Sequence, residues 1–377
     1  MSTLEIVPVE RPSDLDAFID LPWKIYEGHP NWVPPLKKFV RRMLDEKAHP
    51  FWKFSSRALF LARRGAEIQG RIAAIVDDNY NKFHNTGMGI WGFFECVNDP
   101  EVARGLFAAA EDWVCDRGMT YLCGPFNPST NYEVGLLVEG FEHRATFMMP
   151  YTPPYYLELV EGCGFFKEKD LLSFMVDRNC APPDWMAAVA QRLKADGKYT
   201  IRSADIKKAA QEIALIRRIY DEAWSENWGF VPMTNEEVAE MVKELKTIAD
   251  PNVIFFVYAG AEPVAVALAV PDINPLLKRL NGKIGLTGLL KFLWYRKEIA
   301  GLRGLLFGVK PAYREKALPF LALDHMYRTL TSTTKYQYLE LGWNLEENTA
   351  INQFEEEYGA KLFKRYRIYR KNFMDRW

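Results

Sequence analysis

Two stretches of the chain repeat one another at a fixed offset of 195 residues, and this constrains the fold more than any single motif. ALFLARRGAEIQGRIAAIVDDN (58–79) and VIFFVYAGAEPVAVALAVPDIN (253–274) both set Gly-Ala-Glu between two runs of β-branched and aromatic residues, at 65–67 and 260–262. Each reads as a hairpin with a tight glycine turn. Asp77 and Asn79 match Asp272 and Asn274 behind the second run. The same offset returns between CGFFKEKDLLSFMV (163–176) and YGAKLFKRYRIYRK (358–371), where Gly164 corresponds to Gly359. One duplicated unit accounts for all of this.

Each copy orders its elements alike. Helical periodicity comes first (about 12–48 and 205–247), then the hairpin, then a strand (MGIWGFFECV, LRGLLFGV), a helix, a strand (TYLCG, YQYLELG), a helix closing at the matched glycine, and final strands. Alternation of this kind predicts an α/β (α+β) protein with a mixed sheet flanked by helices in each half. Two prolines in DRNCAPPDWM (177–186) mark the join, giving domains 1–180 and 181–377. The halves differ by insertion: half one carries extra residues after TYLCG, and half two carries PLLKRLNGKIGLTGLLKFLWYRKEIAG before its central strand.

With 377 residues, 49% of them hydrophobic, the chain can bury two cores. A formal net charge of −1 provides no global field for a polyanion, so DNA is not an expected partner. No apolar run approaches the roughly 18 residues of a membrane span, and the first residues lack the pattern of a signal peptide. A cytoplasmic protein with no stable membrane insertion is expected. The five cysteines never form Cys-x-x-Cys and the five histidines are isolated, so no metal site is expected.

Residues 308–326, GVKPAYREKALPFLALDHM, read as a strand end, a turn and a helix start. The turn nearly spells Arg-x-x-Gly-x-Gly/Ala, with Arg314 in first place but Ala317 and Pro319 at the two small positions. Together with LELGWNLEENTAINQFEEEYGAKLFKRYRIYRK, this order resembles the GNAT superfamily of acyl-CoA N-acyltransferases. Two tandem copies, each a mostly antiparallel mixed sheet, cover nearly the whole chain. Tandem acyltransferase-like proteins of the Fem and mycothiol-synthase types are similar. The resemblance implies acyl-CoA or acetyl-CoA as cosubstrate, its pyrophosphate held by main-chain N–H groups at a helix start. Carried onto this sequence, the donor site is Val309 (main chain), Arg314, Lys316, Ala317 and Asn348, supported by Lys361, Lys364, Arg365 and Arg367. The competing reading of those four, a solvated strand face with gatekeeping charges, is the one favoured on general grounds. Ala317 adds a methyl and Pro319 removes a donor. Half one departs further, with Val102, Gly105 and Phe107 at the matching positions and the acidic Asp99 and Glu101 nearby.

Amide formation needs a base for the attacking amine and a donor for the oxyanion. Glu95 in IWGFFECV is the leading carboxylate. Regular alternation puts it on one face with Trp91 and Phe93, where desolvation would raise its pKa, and the resemblance implies a base on this strand. An edge position or an arginine partner is the competing reading. Asn127, Ser129, Asn131 and Glu133 fall on alternate positions, so an extended segment would present all four on one side, with Gly135 leaving room for a ligand. A polar loop of Asx turns fits the same letters. The assignment is therefore Glu95, Glu133, Asn131 and Asn127 on the acceptor side, with a small-molecule or lipid amine as acceptor. Leu289, Leu290, Leu293 and Trp294, interleaved with Lys291, Arg296 and Lys297, form a stripe that either packs on its own domain, covers an acyl chain or lies on a membrane surface. NWVPPL (31–36) and ENWGFVP (226–232) read as helix-connecting turns, though Trp32 and Trp228 could stack on a substrate. A Fem-type transferase using charged tRNA, and a scaffold with two decayed loops, are the rival functions; oligomeric state is not encoded in these signals.

Overall fold

Both Gly-Ala-Glu motifs close hairpins, with Gly65 and Gly260 at φ of +62° and +60°, a conformation that a side chain disfavours. The computed structural model of the chain describes residues 3–285, 290, 294–332 and 334–373. It divides into two compact units: Met1–Leu171 with Leu276–Phe292 and Lys364–Trp377, and Leu172–Pro275 with Leu293–Phe363. A single cut at 180/181 would leave 276–292 and 364–377 with the second half; the compact units put them with the first.

In the first unit, β1 (Leu4–Pro8), β2 (Ser55–Arg64), β3 (Glu67–Asp77) and β4 (Met88–Cys96) pair antiparallel in that order, and β5 (Tyr121–Gly124) adds to β4 in parallel. Short strands β6 (Phe126–Asn127) and β7 (Glu133–Val134) form a separate ribbon, followed by β8 (Leu136–Glu139) and β9 (Phe166–Asp177), whose residues up to Leu171 belong here. The helices are α1 (Pro12–Ile25), α2 (Lys37–Met43), α3 (Asp78–His84), α4 (Pro100–Cys115) and α5 (Tyr156–Glu161). Apolar residues at helical spacing on α4, namely Val102, Leu106, Phe107, Ala110 and Val114, bury against Ile72, Ala74, Trp91 and Phe94 of the sheet.

The second unit repeats the order. β10 (Tyr199–Ser203), β11 (Ile254–Ala259), β12 (Glu262–Pro271) and β13 (Gly301–Val309) pair antiparallel, and β14 (Tyr338–Leu345) adds to β13 in parallel. Its helices include α6 (Asp184–Ala195), α7 (Ala209–Trp224) and α8 (Asn235–Leu245). α9 (Asn274–Leu280) leads into the segment 276–292. α10 (Leu318–Ser332) lies between β13 and β14, as α4 lies between β4 and β5, and α11 (Thr349–Tyr358) precedes β15 (Lys361–Asn372). From Lys364 onward β15 belongs to the first unit, where Tyr369–Asn372 pair with β5 and Arg365–Arg367 with β8.

Within the second unit Glu355 of α11 is buried, with Asn344 Nδ2 donating to its Oε2 at 2.8 Å. Burial pushes its carboxyl up to about 8, the hydrogen bond opposing the rise. The folded state therefore keeps a proton that the unfolded chain releases above the ordinary glutamate range. Stability should fall as pH rises through the window between that range and about 8, by up to about 1.4 kcal/mol per pH unit. Glu355→Gln keeps the acceptor oxygen and should flatten this slope, read by urea unfolding at several pH values.

Candidate active site

β4 does not keep regular alternation. Gly92 lies opposite Ala73 and Glu95 opposite Arg71, so Phe93 and Phe94 together face Ile72 in a β-bulge, with Phe93 at φ of +50°. Trp91, Phe94 and Cys96 consequently pack on the α4 side, while Glu95 turns to the other face with Arg71. The expectation that Glu95 shares a face with Trp91 and Phe93 fails for this reason: one extra residue reverses the alternation.

Glu95 is nearly buried and held from several directions. Arg71 Nη2 lies 3.5 Å from Oε1, and the Tyr156 hydroxyl donates to Oε2 at 2.7 Å while accepting from the Cys96 N–H at 2.9 Å. Arg71 is itself buried, donating to the Phe18 carbonyl of α1 with its guanidinium over the Phe18 ring. The Tyr26 hydroxyl, 3.0 Å from the Tyr151 carbonyl oxygen, is within hydrogen-bonding reach of Glu95 as well. Tyr155 donates to the Cys96 carbonyl at 2.8 Å. Burial raises the pKa of Glu95, Arg71 and the tyrosines pull it down, and Glu133 adds to the rise.

Asn127, Ser129, Asn131 and Glu133 do not form one extended edge. The segment is a hairpin in which Asn127 on β6 pairs with Glu133 on β7, while Ser129 and Asn131 sit in the turn between them, Ser129 buried. Gly135 leaves no ligand space, because a Cβ there would come within 3.0 Å of the Tyr366 Cβ. Asn127 Oδ1 accepts from the bulge N–H of Phe93 at 2.6 Å, and its carboxamide also hydrogen-bonds the Glu133 carboxylate. Gly92 permits this approach: a Cβ at that position would meet the Phe126 carbonyl oxygen at 1.9 Å. Glu133 is exposed to water, and the protein around it still raises its pKa. Glu95, Asn127 and Glu133 are thus brought together around the bulge, with Asn131 in the adjoining turn. Arg71, Tyr26 and Tyr156 were not singled out from the sequence. Arg71 alone carries a local signal, as a single charge inside the apolar run GRIAAIV.

The two helix starts differ. At α4, Asp99 is the N-cap, accepting from the Glu101 N–H at 2.8 Å, and Arg64 binds both carboxylates. The chain's own acids occupy the position an anionic ligand would take. In the second unit Val309 ends β13, Lys316 is exposed, and Ala317 adopts φ of +58°, the left-handed conformation that glycine would favour. Arg314 Nη2 donates to the Ala223 carbonyl at the end of α7, and the Arg314 and Lys316 N–H groups close the turn itself. Asn348 is the N-cap of α11, on a different element. The bulge recurs in β13, and the pair at the same step beyond it is Ala267 opposite Phe307, with no carboxylate. Lys364 is buried against the Arg144 carbonyl, Arg367 grips Asp170, and Arg365 pairs with Glu139, all in the first unit. Those three therefore do not line a second-unit phosphate site, while Lys361, in the second unit, is exposed.

The repeated strand order, the bulge in each central strand and the helix that follows it define a tandem GNAT fold. A solved tandem GNAT protein from the clavulanic acid biosynthesis pathway superposes with a TM-score of 0.54 at 12% identity, over 98% of each chain, a likeness of fold. No family model matches. At the level of sequence the chain is 34% identical to a bacterial ceramide synthase of Caulobacter vibrioides, over 98% of this chain and 97% of that protein. It is also 34% identical to protein YghO of Escherichia coli, over 95% of this chain and 93% of that protein. The chain belongs to the family of these two proteins, and fold and family together make it an N-acyltransferase.

Removing the charge of Glu95 leaves a buried guanidinium without its counter-charge. Glu95→Gln should destabilise the protein by about 3 kcal/mol, and Arg71→Met added to it should recover part of the loss. Urea unfolding of the two single variants and the double variant measures the coupling.

Proposed function

We propose that the protein joins the acyl group of an acyl-CoA to the amine of a long-chain amino alcohol, with the amine activated at the first unit's Glu95 and Glu133. Ceramide is the N-acyl amide of such an amino alcohol, and the Caulobacter relative is named for making it. The observation that carries the reading is the pair of carboxylates around the β4 bulge, both with raised pKa. An amine arrives in water as an ammonium ion, and two neighbouring carboxylates complement that charge. Glu95 then takes the proton, and the freed nitrogen attacks the thioester carbonyl. The C–N bond forms, the C–S bond breaks, and coenzyme A leaves as the thiol once its sulfur is protonated. Arg71 and Tyr156 hold the Glu95 carboxylate in place for this step.

For the acyl donor, we assign the pyrophosphate to the turn 310–318 and the start of α10, with Lys316 facing solvent there. The first unit's corresponding helix start is filled by Asp99. We place the reaction in the cytoplasm, since five cysteines with no disulfide among them suit a reducing compartment. Among the described residues no helix is long and apolar enough to cross a membrane.

The test is amide formation from a long-chain acyl-CoA and a detergent-dispersed long-chain amino alcohol, followed by mass spectrometry. Glu95→Gln should lower kcat by about 10²–10⁴. A base must be ionised to act, so wild-type kcat/KM should rise with pH along a limb lying above the ordinary glutamate range, and that limb should vanish in Glu95→Gln. An unchanged limb would remove Glu95 from the role. In thermal-shift titrations coenzyme A should raise the melting temperature of wild type, and Lys316→Ala should need several-fold more ligand for the same shift.

A further inference from the structure

Of the stripe expected over 289–297, Leu289, Lys291 and Leu293 lie outside the described residues, and Leu290 and Trp294 are exposed instead of packing on their own domain. Trp32 stacks on Tyr26 with ring centroids 4.8 Å apart. A polar groove lies elsewhere, wholly within the second unit. It runs between one face of α7 and the strands β10 and β11, and its volume of about 900 Å³ is in the range of small-molecule sites.

Arg202 of β10 fixes the floor of this groove. Its guanidinium makes two bonds to Glu212 of α7, Nη1 to Oε1 at 2.8 Å and Nη2 to Oε2 at 3.1 Å, and Nη2 also donates to the Tyr258 hydroxyl at 2.9 Å. The same group lies over the Phe256 and Tyr258 rings, 5.1 and 5.5 Å from their centroids. Glu212 is buried, yet 42% of the Arg202 side chain stays exposed, and it lines the groove. A planar cation held this firmly and still partly open is a stacking surface for a ring. The fold does not require it. At the repeat offset of 195 residues the first unit has Val7, which stands opposite Leu61 as Arg202 stands opposite Phe256.

The α7 side of the groove has a cation at each end and an apolar middle. Lys208, Gln211, Leu215 and Arg218 recur at helical spacing, with Lys208 and Arg218 roughly 15 Å apart along the axis and Ala214 and Leu215 between them. Arg202 and Glu212 neutralise each other, and Asp205 accepts from the Lys207 N–H at 3.0 Å. Among the described residues neither Lys208 nor Arg218 has a carboxylate at salt-bridge distance. Glu262, on which Arg218 acts from farther off, is bound by Lys310 and Tyr313. The remaining charge of the groove is therefore positive, and Ser203 and Gln211 add groups that can hydrogen-bond a ring edge or a ribose.

We infer that this groove binds a nucleoside phosphate, its base stacked on Arg202 beside Tyr258 and its phosphate taken by the cations at the groove's ends. The inference goes beyond the amide-forming reading and does not rest on it. A free nucleotide and the adenosine end of coenzyme A share this chemistry.

Equilibrium dialysis of the full-length protein against AMP provides the test, with adenosine 3′,5′-bisphosphate and inorganic phosphate alongside. Wild type should bind AMP and the bisphosphate, less at ~0.5 M than at ~0.1 M salt. Inorganic phosphate, which has no ring to stack, should bind at least about tenfold more weakly than AMP. Lys208→Glu with Arg218→Glu should weaken AMP by at least about tenfold, the loss expected when charge-assisted hydrogen bonds to a phosphate are removed. Ala214→Phe, which fills the middle of the groove from an exposed helix position, should block AMP, and both variants should keep the wild-type melting temperature. If the variants lose AMP and keep the thermal shift with coenzyme A, a free nucleotide is the occupant; if they lose both, the occupant is the adenosine end of coenzyme A. No AMP bound by wild type at ~5 mM, equal AMP binding by the variants, or phosphate bound as tightly as AMP overturns the inference.

Discussion

The buried pairing of Arg71 with Glu95 is the constraint on which the site depends, and it exists because β4 has one residue too many. A regular strand would turn Glu95 into the aromatic layer beneath α4, where a carboxylate has no counter-charge. The bulge at Phe93 instead sends it to the α1 face, opposite the guanidinium of Arg71 on β3. The same extra residue presents an N–H that Asn127 binds, and through Asn127 the bulge also fixes Glu133. One local irregularity therefore sets two carboxylates and the carboxamide between them, and neither acid can move without disturbing the central strand.

The two copies have kept the architecture and differ in the residues set upon it. In the second, Ala267 and Phe307 stand where the first has Arg71 and Glu95, so the bulge survives without its acid. The first has filled its helix start with Asp99, held by Arg64, while in the second the turn before α10 carries Ala317 in the left-handed conformation. A sheet and its helices depend on distributed packing and tolerate such exchanges; a base or an anion site depends on a few atoms and does not.

The fold was legible because its signals are local or periodic. Gly65 and Gly260 mark turns, and the apolar spacing of α4 marks its buried face. Glu95 stood out as an acid in an apolar strand, but its face did not, since nothing in IWGFFECV announces an extra residue. Asn127 and Glu133 were legible as residues and not as geometry, because alternate polar positions fit one extended edge and the two arms of a hairpin equally well. Tyr156 lies some sixty residues from Glu95 in sequence and reaches it only through the packing of α5, which no motif records.

The last strand has a consequence for how the molecule is made. Tyr369–Asn372 pair with β5, so the first unit's sheet takes a strand that is synthesised only after the whole of the second unit. On the ribosome the N-terminal half waits with that edge of β5 unpaired while some two hundred further residues emerge, and closing the contact is a long-range step of the kind that slows folding. A nascent chain that stalls before Lys364 would present an open sheet edge to its neighbours.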